Sequence, residues 1–142
     1  MFDQASASAP ETDALRVLIV DDNEASAKTL GWAVEAEGHA VTVCLNGPSA
    51  LEQARIVHPH VILLDLGMPG MNGLDVARAL RADPATRDVR IIAQTGWSDP
   101  QARQRTAETG FDLHLVKPVN LHVLNDMLAM LAASRPRATQ AA

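Results

Sequence analysis

Residues 61–75 read VILLDLGMPGMNGLD, in which four apolar residues run directly into a single aspartate, Asp65, and a glycine-rich loop follows. A short apolar run of this kind predicts a strand buried on both faces, as in a parallel sheet. A carboxylate at its end must be paired or close to solvent, because an unpaired buried charge is costly. The stretch therefore predicts a functional aspartate at the edge of a sheet.

The composition indicates one globular domain. The 142 residues suit a single domain and leave no room for a separate output domain. Twelve Lys+Arg against 17 Asp+Glu give a net charge of −5, which argues against binding to nucleic acid or to an anionic membrane. The lone Cys44 permits no internal disulfide, and no apolar run approaches the ~20 residues of a membrane helix. Without a signal-peptide pattern, we expect a cytoplasmic protein whose partners are proteins or small molecules.

Short apolar runs alternate with helical patterns along the chain. We expect disordered tails at residues 1–14 and 134–142, which are small, polar and contain proline, on either side of a domain at 15–133. The runs that predict strands are 16–20, 41–44, 61–64, 90–94 and 113–116. Five alternations of strand and helix predict an α/β fold, with helices on both faces of a parallel sheet.

Residues typical of helix ends lie between these strands. Asp22 or Asn23 can cap a first helix that ends at Gly38. Pro48 suits the first turn of a second helix, Gly73 precedes a third, and a fourth is expected from near Pro100 to Gly110. The fifth has one apolar stripe, because leucine recurs every three or four residues at Leu121, Leu124, Leu128 and Leu131.

Polar side chains follow four of the predicted strands. They are Asp21 and Asp22 after the first, Asp65 after the third, Thr95 after the fourth and Lys117 after the fifth. In a parallel sheet these positions share one edge, where open α/β sheets bind their ligands. Three crowded carboxylates repel one another, and Mg²⁺ with its preference for oxygen ligands relieves that repulsion. Carboxylate, metal, hydroxyl and lysine together suit phosphoryl transfer onto Asp65 to give an aspartyl phosphate.

At these residues the chain resembles a known family. From about Arg16 to Leu131 it is similar to the receiver domains of two-component response regulators. The shared motifs come in family order, with VLIVDD at the first strand, LLDLGMPGMNG around Asp65, a threonine 30 residues after Asp65 and Lys-Pro 52 residues after it. The resemblance implies a flavodoxin-like, doubly wound sheet of five parallel strands in the order 2-1-3-4-5, with five helices.

The resemblance also implies which residues hold the phosphoryl group and the metal. Asp65 would accept the phosphoryl group from a phosphohistidine on a histidine kinase or a histidine phosphotransfer protein. Mg²⁺ would be bound by Asp22, Asp65 and the backbone carbonyl of Gly67, with Asp21 acting largely through water.

The remaining site residues carry over in the same way. Lys117 would contact the phosphoryl group, Thr95 would be the switch hydroxyl that moves toward it, and the Lys117–Pro118 peptide would be cis. Three backbone N–H groups would complete the shell around the phosphoryl oxygens: those of Leu66, Gly67 and Gly96.

Four residues set this chain apart from the family pattern. His114 stands where the family usually has the Tyr or Phe of the switch, so signalling could depend on pH, unless it is a plain surface histidine. Trp97, two residues after Thr95, is expected to screen the phosphoryl group from water, whereas Gly67 offers no side chain there. Trp32 lies off the apolar stripe of the first helix and is either an exposed partner anchor or covered by a tail.

The sequence therefore predicts a single-domain phosphoacceptor of a two-component phosphorelay that is not itself an enzyme. Phosphorylation would bias a protein-binding surface formed by the fourth helix, the fifth strand and the fifth helix. Two alternatives stay open, a receiver excised from a hybrid histidine kinase and a pseudo-receiver that never carries phosphate. A phosphohydrolase of the haloacid dehalogenase type is disfavoured, because that class expects a second aspartate where Gly67 stands.

Overall fold

Five strands form one parallel sheet in the computed structural model, which describes residues 14–96, 104 and 108–134. They are β1 (Arg16–Val20), β2 (Ala40–Cys44), β3 (Val61–Asp65), β4 (Arg90–Thr95) and β5 (Leu113–Val116). Their order is β2-β1-β3-β4-β5, which confirms the predicted doubly wound topology. Three strands are each one residue longer than predicted, because β2 begins at Ala40, β3 includes Asp65 and β4 includes Thr95. Asp65 and Thr95 are therefore the last residues of their strands and belong to the sheet.

Four of the five predicted helices are described, and each begins after an asparagine. They are α1 (Glu24–Ala36), α2 (Gly47–Val57), α3 (Gly73–Ala82) and α4 (Leu121–Ser134). In every case the asparagine Oδ1 accepts a hydrogen bond from a backbone N–H of the first turn; the caps are Asn23, Asn46, Asn72 and Asn120. Of the two predicted caps for α1, Asn23 is the one used. Gly73, predicted to precede its helix, is the first residue of α3.

The helix predicted between Pro100 and Gly110 lies mostly outside the described residues. Within that segment Gln104, Glu108 and Thr109 are helical. The predicted tails also lie outside the described part of the chain, except for Ala14 and Ser134. Ser134 is the last residue of α4, so the helix continues one residue past the predicted domain boundary.

The helices cover both faces of the sheet. On one face α1 and α4 pack over alternate strand residues, which include Ile19, Leu63 and Ile92. On the other face α2 and α3 pack over the intervening residues, which include Leu18, Ile62 and Ile91. Because both sides of β3 are covered, all five of its residues are buried, which explains its uninterrupted apolar run.

The leucine stripe of α4 is confirmed at its centre and wrong at its start. Leu124 and Leu128 are each 1% exposed, whereas Leu121 is 40% exposed at the rim of the sheet. Ala132 is the third buried residue of this helix. No helix among the described residues is long and apolar enough to cross a membrane.

Candidate functional site

Three aspartates meet at the carboxyl edge of the two central strands. Asp21 directly follows β1, Asp22 comes next, and Asp65 ends β3, which pairs with β1. Each can place one carboxylate oxygen within 4.8 Å of the other two. Asp21 and Asp65 are only 1% and 4% exposed, whereas Asp22 faces solvent. The structure therefore brings together the three carboxylates that the sequence analysis expected at one edge.

The turn that follows β1 fixes the position of Asp21. Its backbone N–H donates to the carbonyl of Cys44 at 3.1 Å, which continues the pairing of β1 with β2. Its side-chain Oδ1 accepts a hydrogen bond from the backbone N–H of Asn23 at 2.9 Å. The other oxygen, Oδ2, has no hydrogen-bond partner among the described residues.

Lys117 reaches from the end of β5 to the acidic cluster. Its Nζ lies 3.1 Å from Asp65 Oδ2 and 3.6 Å from Asp21 Oδ2. Its backbone N–H donates to the carbonyl of Thr95 at 2.8 Å, and its peptide bond to Pro118 is cis, as predicted. The ammonium group of Lys117 thus lies against two of the three carboxylates, so negative charge is left over in the site.

The Asp21 carboxylate of the cluster carries negative charge in a buried environment, which disfavours the charged form. Burial raises the pKa of the Asp21 carboxyl, against the lowering effects of the Asn23 N–H and Lys117, and the Asp65 charge raises it further. A cation bound beside Asp21 and Asp65 would oppose both effects. The Asp21 Oδ2, which accepts no hydrogen bond from the described residues, and the all-oxygen donor set suit a hard divalent cation such as Mg²⁺.

Both oxygens of Asp65 have partners in this structure. Oδ1 accepts a hydrogen bond from the backbone N–H of Gly67 at 2.9 Å, and Oδ2 pairs with Lys117. The backbone N–H of Leu66, predicted to bind a phosphoryl oxygen, donates instead to the carbonyl of Gln94 at 2.9 Å. The Leu66 N–H therefore extends the hydrogen bonding between β3 and β4, and the Gly67 N–H donates to the Asp65 carboxylate.

The loop after β3 folds back tightly against Asp65. A Cβ atom at Gly73 would lie 2.6 Å from the Asp65 carbonyl oxygen and 2.8 Å from Leu66 Cα. Only glycine allows the first turn of α3 to approach the end of β3 this closely. Gly70 in the same loop has φ +71°, a conformation that favours glycine.

The predicted switch residues Thr95 and His114 lie on β4 and β5, the two strands on one side of β3. Thr95 is 4% exposed and follows Gln94, which pairs in register with Asp65. Gly96 is exposed at the end of β4, and His114 is half-buried on β5 opposite Ala93. Trp97 lies outside the described residues.

Trp32 on α1 has a side chain that is 67% exposed. The predicted tails, one of which the sequence analysis named as a possible cover, lie outside the described residues apart from Ala14 and Ser134. Cys44, at the end of β2, is buried as a small core residue.

One polar residue at the site was missed by the sequence analysis. Gln94 is 1% exposed and lies beside Asp65 in the sheet, but its position inside the run RIIAQ led to its interpretation as an ordinary strand residue. The available signal was an amide at the end of an otherwise apolar run, directly before Thr95.

Comparison with known proteins gives the same family from sequence and from structure. The family model described as "Response regulator receiver domain" matches residues 17–129. The response regulator PleD of Caulobacter vibrioides is 38% identical over 105 residues, which are 74% of this chain and 23% of that protein. The DNA-binding response regulator MtrA of Mycobacterium tuberculosis is 39% identical over 103 residues, 72% of this chain and 44% of that protein. The chain thus spans less than half the length of these curated relatives.

Solved structures with the same fold include a chemotaxis protein and the receiver domain of a histidine kinase. Vibrio cholerae chemotaxis protein CheY4 has a TM-score of 0.79 and 27% identity, covering 83% of this chain and 98% of that one. The receiver domain of a histidine kinase from Syntrophus aciditrophicus has a TM-score of 0.78 and 30% identity, covering 88% and 96%. With the acidic cluster, the lysine after β5 and the sheet order all in place, the chain belongs to the receiver domain family of two-component response regulators.

Proposed function

We propose that Asp65 is the phosphoacceptor of this receiver, and that it takes its phosphoryl group from a phosphohistidine on a histidine kinase or phosphotransfer protein. The observation that carries the proposal is the environment of Asp65. Its carboxylate is fixed at the end of a fully buried strand, with Oδ2 3.1 Å from Lys117 Nζ and two further carboxylates within metal-binding distance. A structural aspartate would not need this surplus of negative charge.

The transfer is a displacement at phosphorus. An Asp65 carboxylate oxygen forms an O–P bond while the P–N bond to the donor imidazole breaks, and the electron pair of that bond stays on the imidazole nitrogen. Lys117 then moves its ammonium group from Asp65 Oδ2 to a phosphoryl oxygen, so the positive charge follows the negative charge. Thr95 and the backbone N–H groups of Gly67 and Gly96 offer further donors to the remaining oxygens.

Mg²⁺ is the metal that we infer for the site. Asp22, Asp65 and the carbonyl of Gly67 would hold it, and Asp21 would act through a bound water. When bound, Mg²⁺ supplies charge neutralisation for the phosphoryl oxygens. The donor set and the raised pKa of the buried Asp21 carboxyl support this assignment.

The output of the phosphorylated state is inferred to be a protein-binding surface. The described part of this surface comprises β5 and α4, which expose the apolar side chains Val116, Leu121, Val123 and Met130. Gln104 is exposed in the helical segment that precedes β5, and His114 lies on β5 itself. We infer that Thr95 and His114 connect the phosphoryl group to this surface. We also infer that the direct partner is a protein rather than nucleic acid or a membrane, and that the two meet in the cytoplasm.

The parent protein can be of either kind found among the relatives. The receiver from Syntrophus aciditrophicus belongs to a histidine kinase, and MtrA is described as a DNA-binding response regulator. The phosphoacceptor role of Asp65 is the same in both settings. A phosphohydrolase remains disfavoured, because Gly67 has no side chain with which to act as a second carboxylate.

The test is intact-mass analysis after incubation with acetyl phosphate, with and without Mg²⁺. Wild type and Asp65→Asn are compared with Asp88→Asn, which removes an exposed aspartate just before β4, at the opposite edge of the sheet. We expect one phosphoryl group on wild type and on Asp88→Asn only when Mg²⁺ is present. Asp65→Asn should gain none.

Two results would contradict the proposal. A folded wild-type protein that gains no phosphoryl group would favour the pseudo-receiver. Rapid turnover of acetyl phosphate without a detectable adduct would instead favour a phosphohydrolase.

A further inference from the structure

Gln94 is a buried amide that the phosphoacceptor mechanism described above does not use. It is 1% exposed, and its side-chain Nε2 has no hydrogen-bond partner among the residues that the structure describes. A buried N–H donor left without an acceptor destabilises the state in which it occurs. A state of the protein that offers this donor an acceptor gains a hydrogen bond that the described state lacks.

The sheet places Gln94 beside the acceptor carboxylate. Asp65 and Gln94 are register partners in β3 and β4, so their side chains leave the same face of the sheet from strands about 4.8 Å apart. Ile92, two residues before Gln94, packs on the face covered by α1 and α4, which fixes the face to which Gln94 belongs. A glutamine side chain is long enough to reach across that spacing to a group bound on Asp65.

The same residue borders a groove that opens from the site. The groove lies between the first turns of α1 and the loop from β5 to α4, and Asp21, Gln94 and Lys117 all line it. Two buried polar atoms in it lack a hydrogen bond, the acceptor Asp21 Oδ2 and the donor Gln94 Nε2. Its volume of about 630 Å³ admits a phosphoryl oxygen and also a side chain of a partner protein.

We propose that Gln94 is an additional residue of the phosphoacceptor site, whose Nε2 donates a hydrogen bond to a phosphoryl oxygen carried by Asp65. The inference rests on the proposed phosphorylation of Asp65. In the unphosphorylated protein Lys117 occupies Asp65 Oδ2, and Gln94 Nε2 has no acceptor in the described part of the chain. Phosphorylation draws Lys117 outward to the new oxygens and brings an acceptor to Gln94. Because this bond exists only in the phosphorylated state, it stabilises that state selectively.

Beryllium fluoride with Mg²⁺ serves as the probe, because it mimics the phosphoryl group on aspartate without any partner protein. Its affinity is measured by calorimetry for wild type, Gln94→Met and Gln94→Glu, together with the urea midpoint of each unloaded protein. Methionine keeps the length of glutamine and removes the donor, whereas glutamate replaces the donor by an acceptor. Asn125→Leu is the matched control, since Asn125 on α4 also has a buried side-chain atom without a partner and lies outside the site.

Opposite changes in stability and in affinity are expected for Gln94→Met. Its urea midpoint should stay equal to that of wild type or rise, because an unpaired donor has been removed, while its affinity for beryllium fluoride should fall by about tenfold. Gln94→Glu should bind more weakly still, because the new carboxylate repels the fluoride atoms. Asn125→Leu should match wild type in affinity. A purely structural role for Gln94 would lower the midpoint and leave the affinity unchanged.

Unchanged affinity in both folded Gln94 variants would overturn the proposal. If the same variants accepted phosphoryl groups more slowly from a phosphorylated histidine kinase, the acceptor would be a group of the partner, which also contradicts the assignment to a phosphoryl oxygen. Failure of the wild-type protein to bind beryllium fluoride would count against the proposed phosphoacceptor function itself.

Discussion

At the scale of single residues, the site combines groups that destabilise one another in the absence of a ligand. Asp21 is almost fully buried, has one oxygen without a hydrogen bond and sits beside a second carboxylate. Its carboxyl pKa is raised chiefly by burial, so at neutral pH the charged form costs folding free energy. A cation bound beside Asp21 would reduce this cost.

The first prediction concerns the cost of burying the Asp21 charge. Asp21→Asn should raise the free energy of unfolding at neutral pH in buffer with EDTA, because it replaces a buried charge, whose pKa burial raises, by a neutral amide of the same shape. Urea denaturation of the two proteins measures the difference. Asp88→Asn, at an exposed position, should leave the stability unchanged, and a destabilised Asp21→Asn protein would contradict the argument.

The second prediction concerns the close packing of Gly73 against β3. Gly73→Ala should destabilise the protein by roughly 2 kcal/mol, because its Cβ would lie 2.6 Å from the Asp65 carbonyl oxygen, which is part of a buried strand and cannot move freely. Gly96→Ala is the control for stability, because a Cβ there meets nothing within 4 Å. Equal unfolding midpoints for the two variants would show that the loop relaxes more easily than the structure implies.

At the scale of elements, β1 is held at its start by two imidazole rings. The backbone N–H of Leu15 donates to His39 Nδ1 at 3.0 Å, and that of Arg16 donates to His60 Nδ1 at 2.9 Å. His39 belongs to the connection from α1 to β2, and His60 precedes β3. Each ring nitrogen can accept only while it is unprotonated, so this junction of three strands depends on neutral histidine.

The pH prediction follows from His39. Burial lowers the pKa of the His39 imidazole below its usual 6.5, against a smaller opposing effect of Glu37. Between that lowered pKa and 6.5 the unfolded chain binds the proton and the folded chain does not. The stabilisation is therefore complete above pH 6.5 and is lost as the pH falls through the folded-state pKa.

Urea midpoints measured from pH 7.5 to about pH 5 test this prediction. The wild-type midpoint should fall over that range, and His39→Gln should show a smaller fall. His122→Gln is the control, because His122 is exposed on α4. A control with the same reduced slope as His39→Gln would remove His39 as the cause.

The elements also show where sequence reasoning succeeds and where it stops. The strands of the sheet were predictable because parallel strands buried on both faces leave uninterrupted apolar runs, and Asp65 and Lys117 stand out at their ends. Leu121 was misplaced because a helical period fixes a stripe but not where the sheet beneath it ends. Gln94 was missed because its importance comes from lying beside Asp65, a relation of register that no local pattern records.

At the scale of the whole molecule, we expect the proposed metal binding to be coupled to folding. A cation that binds the folded cluster and not the unfolded chain stabilises the fold by mass action, by about 2.7 kcal/mol at a hundredfold excess over its dissociation constant. Mg²⁺ should therefore raise the melting temperature, and EDTA should reverse the rise. Asp22→Asn and Asp65→Asn should respond weakly or not at all, whereas Asp88→Asn should respond as wild type does. An equal response in all four proteins would place the ion elsewhere.

The asparagine caps have an electrostatic consequence for a chain whose net charge is −5. Because the strands are parallel, each helix that follows a strand begins at the edge that holds the three aspartates, and the N-terminus of a helix carries roughly half a positive charge from its aligned peptide dipoles. An aspartate in any of the four cap positions would satisfy the same N–H groups but would cancel that charge. The neutral amides leave the helix dipoles free to attract an arriving phosphoryl anion that the protein as a whole repels.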